Sequence, residues 1–173
     1  MAATEPHIAR ACAYTEDVDG LKRWSESSAD AWVGLLEVHK RLTRELDAEL
    51  EARHGLGLSA LELLGRLGAA ESHRLRLSKL AENASLSLSR VSRIVDQLEA
   101  RGLVQRVACP SDGRAINAEL TPAGLALLRE AQATHFAGVQ RRFFDRLDSE
   151  EVATLAAVFT RFGDDTTSCR GGA

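Results

Sequence analysis

Apolar residues recur along most of this 173-residue chain at three- and four-residue steps, the spacing that gathers them on one side of an α-helix. A first stripe, Leu35, Val38, Leu42, Leu46 and Leu50, predicts a long helix capped by Ser27, Ser28 or Asp30 and running to the neighbourhood of Arg53. His54-Gly55-Leu56-Gly57 then supplies the glycine chemistry that ends a helix. Ser59, with Glu62 three residues on, reads as a capping box for a second helix that Leu61, Leu64 and Leu67 carry to Ala70. A short helix follows over 77–82, bounded by Asn83-Ala84-Ser85. Ser87 caps the next, whose Val91, Ile94, Val95 and Leu98 turn inward before Gly102 stops it. Residues 1–20 keep no sustained period and read as a loosely docked arm.

Past Gly102 the period shortens to two. Residues 103–107 and 116–120 read as strands, and Ile116, Ala118 and Leu120, alternating with Asn117 and Glu119, predict one buried face. Between them Cys109-Pro110-Ser111-Asp112-Gly113 is turn chemistry. Thr121 and Pro122 open another helix as cap and first residue, carried by Leu125, Leu128, Ala131, His135, Val139 and Phe143 or Phe144. A last helix starts at Ser149-Glu150-Glu151 and uses Val152, Leu155, Val158, Phe159 and Phe162; the tail from Gly163 is polar. The order of elements predicts a mainly α fold with a small β-hairpin wing (α+β), a winged helix-turn-helix lobe with a helical dimerisation region. The boundaries that follow are an N-terminal arm at 1–28, the helical region at 29–58 and 122–163, the lobe at 59–121, and a C-terminal tail at 164–173.

Charge changes this picture more than composition does. The net charge is −3, which points away from nucleic acid. Yet between Ser72 and Arg114 eight basic residues face four acidic ones, so that segment is +4 and the remainder −7. A basic face on an acidic frame suits a DNA contact surface carried by an unrelated scaffold. Cys12, Cys109 and Cys169 are far apart and form no metal spacing, the five histidines form no i,i+4 pair, and no cofactor motif is present. With no apolar run of membrane-spanning length and no leader-like start, the chain reads as cytoplasmic, with reduced thiols and no membrane partner. It carries no nucleophile elbow, phosphate loop or metalloprotease motif, which sets an enzyme aside.

The segment 78–103 holds the informative chemistry: a short helix, a Ser-rich turn, and a helix presenting Leu88, Ser89, Arg90, Ser92 and Arg93 away from its apolar stripe. Hydroxyls of this kind bond phosphates or base edges, and an arginine forks onto guanine. Ser87 and Lys79 extend the candidate set towards the phosphates, while Arg101 and Arg106 are expected to be partly structural. The run Ser87-Leu88-Ser89-Arg90-Val91-Ser92-Arg93-Ile94-Val95-Asp96-Gln97-Leu98, continuing to Gly102-Leu103-Val104, resembles the MarR (multiple antibiotic resistance) regulators. So do Pro110-Ser111-Asp112-Gly113-Arg114 and Leu120-Thr121-Pro122-Ala123-Gly124. Against the family's wing pattern, Cys109 replaces an aspartate and Gly113 an arginine, whereas Asp112, Arg114 and Ala115 match.

That resemblance implies a homodimer of winged helix-turn-helix lobes joined through the N- and C-terminal helices. It also implies a recognition helix in the major groove and Arg114, oriented by Asp112, at the minor groove. Independently, the apolar stripes at both ends of the chain need cover, and a two-fold interface would space two recognition helices by about one DNA turn. The function expected is a dimeric, DNA-binding transcriptional regulator, more often repressor than activator, on a pseudo-palindromic operator of double-stranded DNA. Some relatives respond to phenolic or other anionic effectors, for which Trp24, Trp32 and His39 are the candidate lining here. Two competing readings are a winged-helix protein-interaction module that no longer touches DNA and a thiol-based redox sensor of the same family.

Overall fold

The computed structural model describes residues 14–109 and 112–162; the side chains of 109 and 112–115 lie outside that description. The chain divides into two compact units between Arg41 and Leu42. The first contains an antiparallel hairpin, β1 (Tyr14–Glu16) and β2 (Lys22–Trp24), with Tyr14 opposite Trp24. The Asp17 carboxylate fixes its turn by accepting from the backbone N–H groups of Asp19 and Leu21, with Gly20 at φ 77. The arm expected through residue 20 is thereby corrected over its last residues. Strands of three residues are too short to show a period, and the order comes from one side chain. Helix α1 (Glu26–His54) begins earlier than expected, the Ser25 carbonyl accepting the first helical bond from Ala29. Ser27, Ser28 and Asp30 therefore lie inside the helix rather than at its cap.

In the second unit the end of α1 is followed by α2 (Leu58–Ala69), β3 (Arg74–Arg76), α3 (Leu77–Asn83), α4 (Leu88–Ala100), β4 (Val104–Cys109), β5 (Asp112–Leu120), α5 (Pro122–Arg142) and α6 (Ser149–Thr160). The three strands form one antiparallel sheet in the order β3-β5-β4. One apolar cluster joins Leu50 of α1, Leu63, Leu64 and Leu67 of α2, Leu80 of α3, Val91, Val95 and Leu98 of α4, Ala118 and Leu120 of β5, and Leu128 and Ala131 of α5. The mainly helical, winged architecture is as expected.

Chain ends of the two central helices are set by the same device. After α3, Ser85 adopts φ 52 while its N–H bonds the Glu82 carbonyl and the Leu86 N–H bonds that of Ala81. After α4, Gly102 at φ 69 and Leu103 repeat the pattern onto Glu99 and Leu98. Both are Schellman caps, which leave the last carbonyls satisfied and turn the chain sharply. The helix-turn-helix angle is thus built from backbone bonds.

Three expectations need correction. Ser59 does not cap α2: the N-cap is Gly57, and the donor at Leu58 is satisfied by the Asp47 carboxylate 2.7 Å away on α1. Glu62, expected in that capping box, instead pairs with Arg66 at 2.7 Å. The helix α6 starts at Ser149 as expected, and Asp148 caps it in a reciprocal box with Glu151. On β5 the face assignment fails at its outer end, where Ile116 is exposed and Asn117 is only 6% exposed. As the middle strand, β5 is flanked at Asn117 by Arg76 on one edge and Val107 on the other, which covers it whatever its polarity. In addition β3, which carries no separate sequence signal, joins the sheet through Leu75 opposite Ala118.

On α5, Thr121 caps as expected, its hydroxyl accepting from the Gly124 N–H at 3.0 Å. His135 lies half-buried on this helix; burial pushes its pKa below the ordinary imidazole value, and its Nδ1 has no partner among the described residues. The Glu49 carboxylate of α1 receives Arg141 at 2.9 Å and Arg142 at 2.7 Å. Burial opposes its charge, but the two guanidinium groups outweigh that and hold its pKa below the ordinary carboxylate value.

Among the described glycines the least room is at Gly124, where a Cβ would stand 2.0 Å from the Leu103 carbonyl oxygen. Because that obstacle is backbone, Gly124→Ala is expected to destabilise by ~1–3 kcal/mol and to lower the thermal midpoint by several degrees. An unchanged midpoint in a calorimetric scan would show that the β4–α5 junction yields freely.

Candidate nucleic-acid interface

The helix α4 starts where Ser87 accepts from the Arg90 N–H at 3.3 Å, and the Ser89 hydroxyl lies 3.1 Å from that of Ser87. Of the residues expected on its free side, Leu88, Ser89, Arg90 and Arg93 are exposed, and so is Ser87. Val91, Val95 and Leu98 are at most 2% exposed on the opposite side. The helix is therefore divided into a sealed face and a bare one.

Ser92 departs from its expected role. It is half-buried, and Arg106 Nη2 reaches both its carbonyl (3.3 Å) and its hydroxyl (3.2 Å) from β4. The same guanidinium binds Asp96 at 2.7 Å and Glu99 at 2.6 Å. The Glu99 carboxyl is held below its ordinary value by the backbone N–H of Arg106 first and by the guanidinium second. Burial acts against the charge on Arg106, yet the two carboxylates raise its pKa further. Arg101, at the other end of α4, donates to the carbonyls of His54 (2.8 Å) and Gly55 (2.5 Å), closing the C-terminus of α1. Both arginines are spent on holding the helix in place. A latch between residues fourteen apart leaves no local spacing by which sequence could have found it.

Arg90 and Arg93 remain. Arg90 Nη2 touches the Ser59 hydroxyl at 3.3 Å, and both arginines line an open hollow of about 460 Å³ with Ser59, Ile94 and Gln97. Neither is paired with a carboxylate among the described residues. Lys79 on α3 is exposed and holds Glu82 at 3.0 Å. Asp112 belongs to β5 by its backbone, as does Arg114, but their side chains lie outside the described residues, so the wing end of the candidate set is not placed.

Trp24, Trp32 and His39 are all exposed, the two tryptophans by about half, and none of them lines the hollow beside Arg90 and Arg93. Cys12 and Cys169 fall outside the described residues, as does the side chain of Cys109. Among the described residues no group of three His, Cys, Asp or Glu side chains is placed to hold a metal, and no helix is long and apolar enough to cross a membrane.

A model of the MarR family matches residues 58–116, the stretch from the start of α2 to the outer part of β5. AbsC, a MarR family transcriptional regulator from Streptomyces coelicolor, is 34% identical, with 82% of this chain and 96% of that one covered at a TM-score of 0.75. Sco3205, a regulator of the same family and organism solved in complex with DNA, is 32% identical over 82% of this chain and 89% of its own, at a TM-score of 0.76. The transcriptional repressor Mb2911 of Mycobacterium bovis is 30% identical over 110 residues, 64% of this chain and 78% of the repressor.

The arginine latch generates a pH-dependent expectation. Replacing Arg106 with Ala should lower thermal stability at neutral pH, and the gap to the parent protein should narrow as pH falls below 4.5, the ordinary value for Glu99. A depressed folded-state pKa contributes stability that is present above the unfolded value and lost as acid protonates the carboxylate. Thermal melts at matched ionic strength decide it: a gap that stays constant into the acid range would mean that Glu99 is not what Arg106 stabilises.

Proposed function

The chain belongs to the MarR family of transcriptional regulators, and from that premise we propose that it binds a pseudo-palindromic operator in double-stranded DNA as a homodimer. In this reading α4 enters the major groove with Arg90, Arg93 and Ser89 towards base edges, while Ser87 and Lys79 meet the sugar–phosphate chain. The wing carries Arg114, steadied by Asp112, to the neighbouring minor groove. The observation that carries the reading is the division of α4: one face sealed in the core, the other exposed with two arginines that hold no carboxylate.

Residues 59–121 act as the DNA-binding lobe, with 29–58 and 122–163 as the pairing region. Support for pairing comes from apolar surface left without cover. No residue of α6 is buried although it carries Val152, Leu155, Val158 and Phe159, and Phe162 just beyond it is 78% exposed. Val33, Leu35 and Leu36 on α1 are likewise exposed. An isologous interface covers such faces in one step and gives two recognition helices the two-fold relation that an inverted repeat requires. The related Mb2911 is a repressor, and repression is the direction proposed here. A phenolic or otherwise anionic effector would act by changing the separation of the two recognition helices, and Trp24, Trp32 and His39, exposed on the single chain, would need the second subunit to enclose it.

Selection of bound duplexes from a random pool should enrich an inverted repeat whose half-sites lie about one helical turn apart. On that site Arg93→Ala and Arg114→Ala should each weaken binding by ~1–3 kcal/mol, and log Kd should depend steeply on log salt, by about 0.9 per phosphate neutralised. No enrichment, or a flat salt response, would leave the protein-interaction module as the better reading.

A further inference from the structure

The hollow beside Arg90 and Arg93 holds a further polar group of α4. Gln97 is exposed and lines that hollow, and its carboxamide makes no hydrogen bond among the described residues. It stands seven residues from Arg90 and four from Arg93, steps that at 3.6 residues per turn bring all three onto one line along the helix. At the helical rise, the row from Arg90 to Gln97 is about 10 Å long, close to three base-pair steps of B-DNA. Ile94, half-buried between them, offers no polar group to compete.

The wall opposite changes character along this row. At one end Ser59 of α2 touches Arg90 at 3.3 Å, and past the other end Arg101 donates to the Gly55 carbonyl. Residues 55–59 therefore run beside α4 in the opposite direction, and Gly57 falls level with its middle turns. There the Asp47 carboxylate, held to the Leu58 N–H at 2.7 Å, lines the hollow. The row thus begins among cations and ends beside a carboxylate. Phosphate is an anion, and guanine presents two acceptors on its major-groove edge, so both suit the arginine end and are disfavoured at the other. Adenine presents one acceptor, N7, and one donor, the N6 amino group, which a carboxamide matches with two hydrogen bonds. We propose that Gln97 is a base-reading residue of this helix, selecting adenine in the base pair beyond those met by Arg90 and Arg93, with Asp47 biasing that place against phosphate and guanine.

This contact rests on the operator-binding reading, and one selection tells their failures apart. Duplexes are selected from a random pool by the parent, by Gln97→Ala and by Gln97→Glu. The parent should enrich an inverted repeat with adenine fixed at one position of each half-site. Gln97→Ala should keep the rest of the repeat and lose that preference, binding the parent's site about tenfold more weakly with the same dependence of log Kd on log salt. Gln97→Glu should exchange adenine for cytosine there, because a carboxylate accepts from the N4 amino group; a misfolded helix would lose preference, not change it. Replacing that adenine with 7-deazaadenine, which lacks the N7 acceptor, should weaken binding by the parent several-fold and leave Gln97→Ala unaffected. The same repeat with the same preferences from all three proteins overturns the proposal. So does a uniform loss of affinity in Gln97→Ala on every duplex with a shallower salt slope, the signature of a phosphate contact. If the parent itself enriches no repeat, the operator reading fails and this contact falls with it.

Discussion

Because Val91, Val95 and Leu98 are sunk against α2, α3 and the sheet to 2% exposure or less, α4 has one orientation on the lobe, and its Ser/Arg side can face only outward. Each such side chain contributes about 1.5–3 kcal/mol when withdrawn from water, more than any single polar tie around the helix, which nets about 1 kcal/mol. Burial therefore decides where the helix lies, and the polar contacts decide how finely it is held. Ser87 fixes its first turn, Gly102 ends it, and Arg106 ties its middle to β4. Pre-organisation of this kind matters for a binding surface, since a helix that had to be ordered on contact would lose affinity to the entropy of ordering it.

The same constraint sorts the basic residues. By count alone, the segment from 72 to 114 is +4 and looks uniformly suited to a polyanion. In space its cations do different work. Arg106 is surrounded by Asp96 and Glu99, Arg74 by Glu119, and Arg101 by the carbonyls that close α1. On the exposed side of α4, Arg90 and Arg93 hold neither a carboxylate nor a helix end among the described residues. A local excess of charge thus overstates the contact surface, and position on the helix refines it. In the proposed complex the acidic remainder of the chain would limit non-specific attraction to nucleic acid and leave discrimination to those few side chains.

What was legible in the chain follows from how local each cause is. Ser87, Thr121 and Pro122 act within one helical turn, and Gly102 within the next, so caps and stops at α4 and α5 could be read directly. The stripe through Val91, Val95 and Leu98 was readable because 3.6-residue periodicity survives in any context. Causes from far along the chain were not. Asp47 caps α2 from eleven residues away, which frees Ser59 to meet Arg90 instead, and no spacing rule anticipates that exchange. β3 is a strand only because β5 arrives beside it forty residues later, and Asn117 is buried for the same reason. The hairpin at Tyr14–Trp24 escaped because its strands are three residues long and its turn depends on the Asp17 carboxylate. On α4 periodicity shows a whole face, and Ser92 leaves it through a guanidinium that only the folded sheet brings near.

How a change at the helices proposed to pair could reach α4 is answered by the contacts at the end of α1. Leu50 of α1 and Leu128 and Ala131 of α5 belong to the same apolar cluster as Val91 and Val95, so these helices and α4 share one core rather than meeting across a hinge. Two polar ties reinforce the sharing. Arg101 grips the last carbonyls of α1 from the C-terminus of α4, and Asp47 of α1 holds the first N–H of α2. Close-packed interiors transmit displacement because they have no free volume in which to absorb it. A tilt of this part of α1 would therefore carry α2 and α4 with it as one body, altering the separation between recognition helices in a pair without changing the face that either presents. Spacing becomes the adjustable quantity and side-chain chemistry the fixed one. In the proposed dimer, an effector would need no contact with α4 to weaken the match to DNA, only a preference for one separation over another.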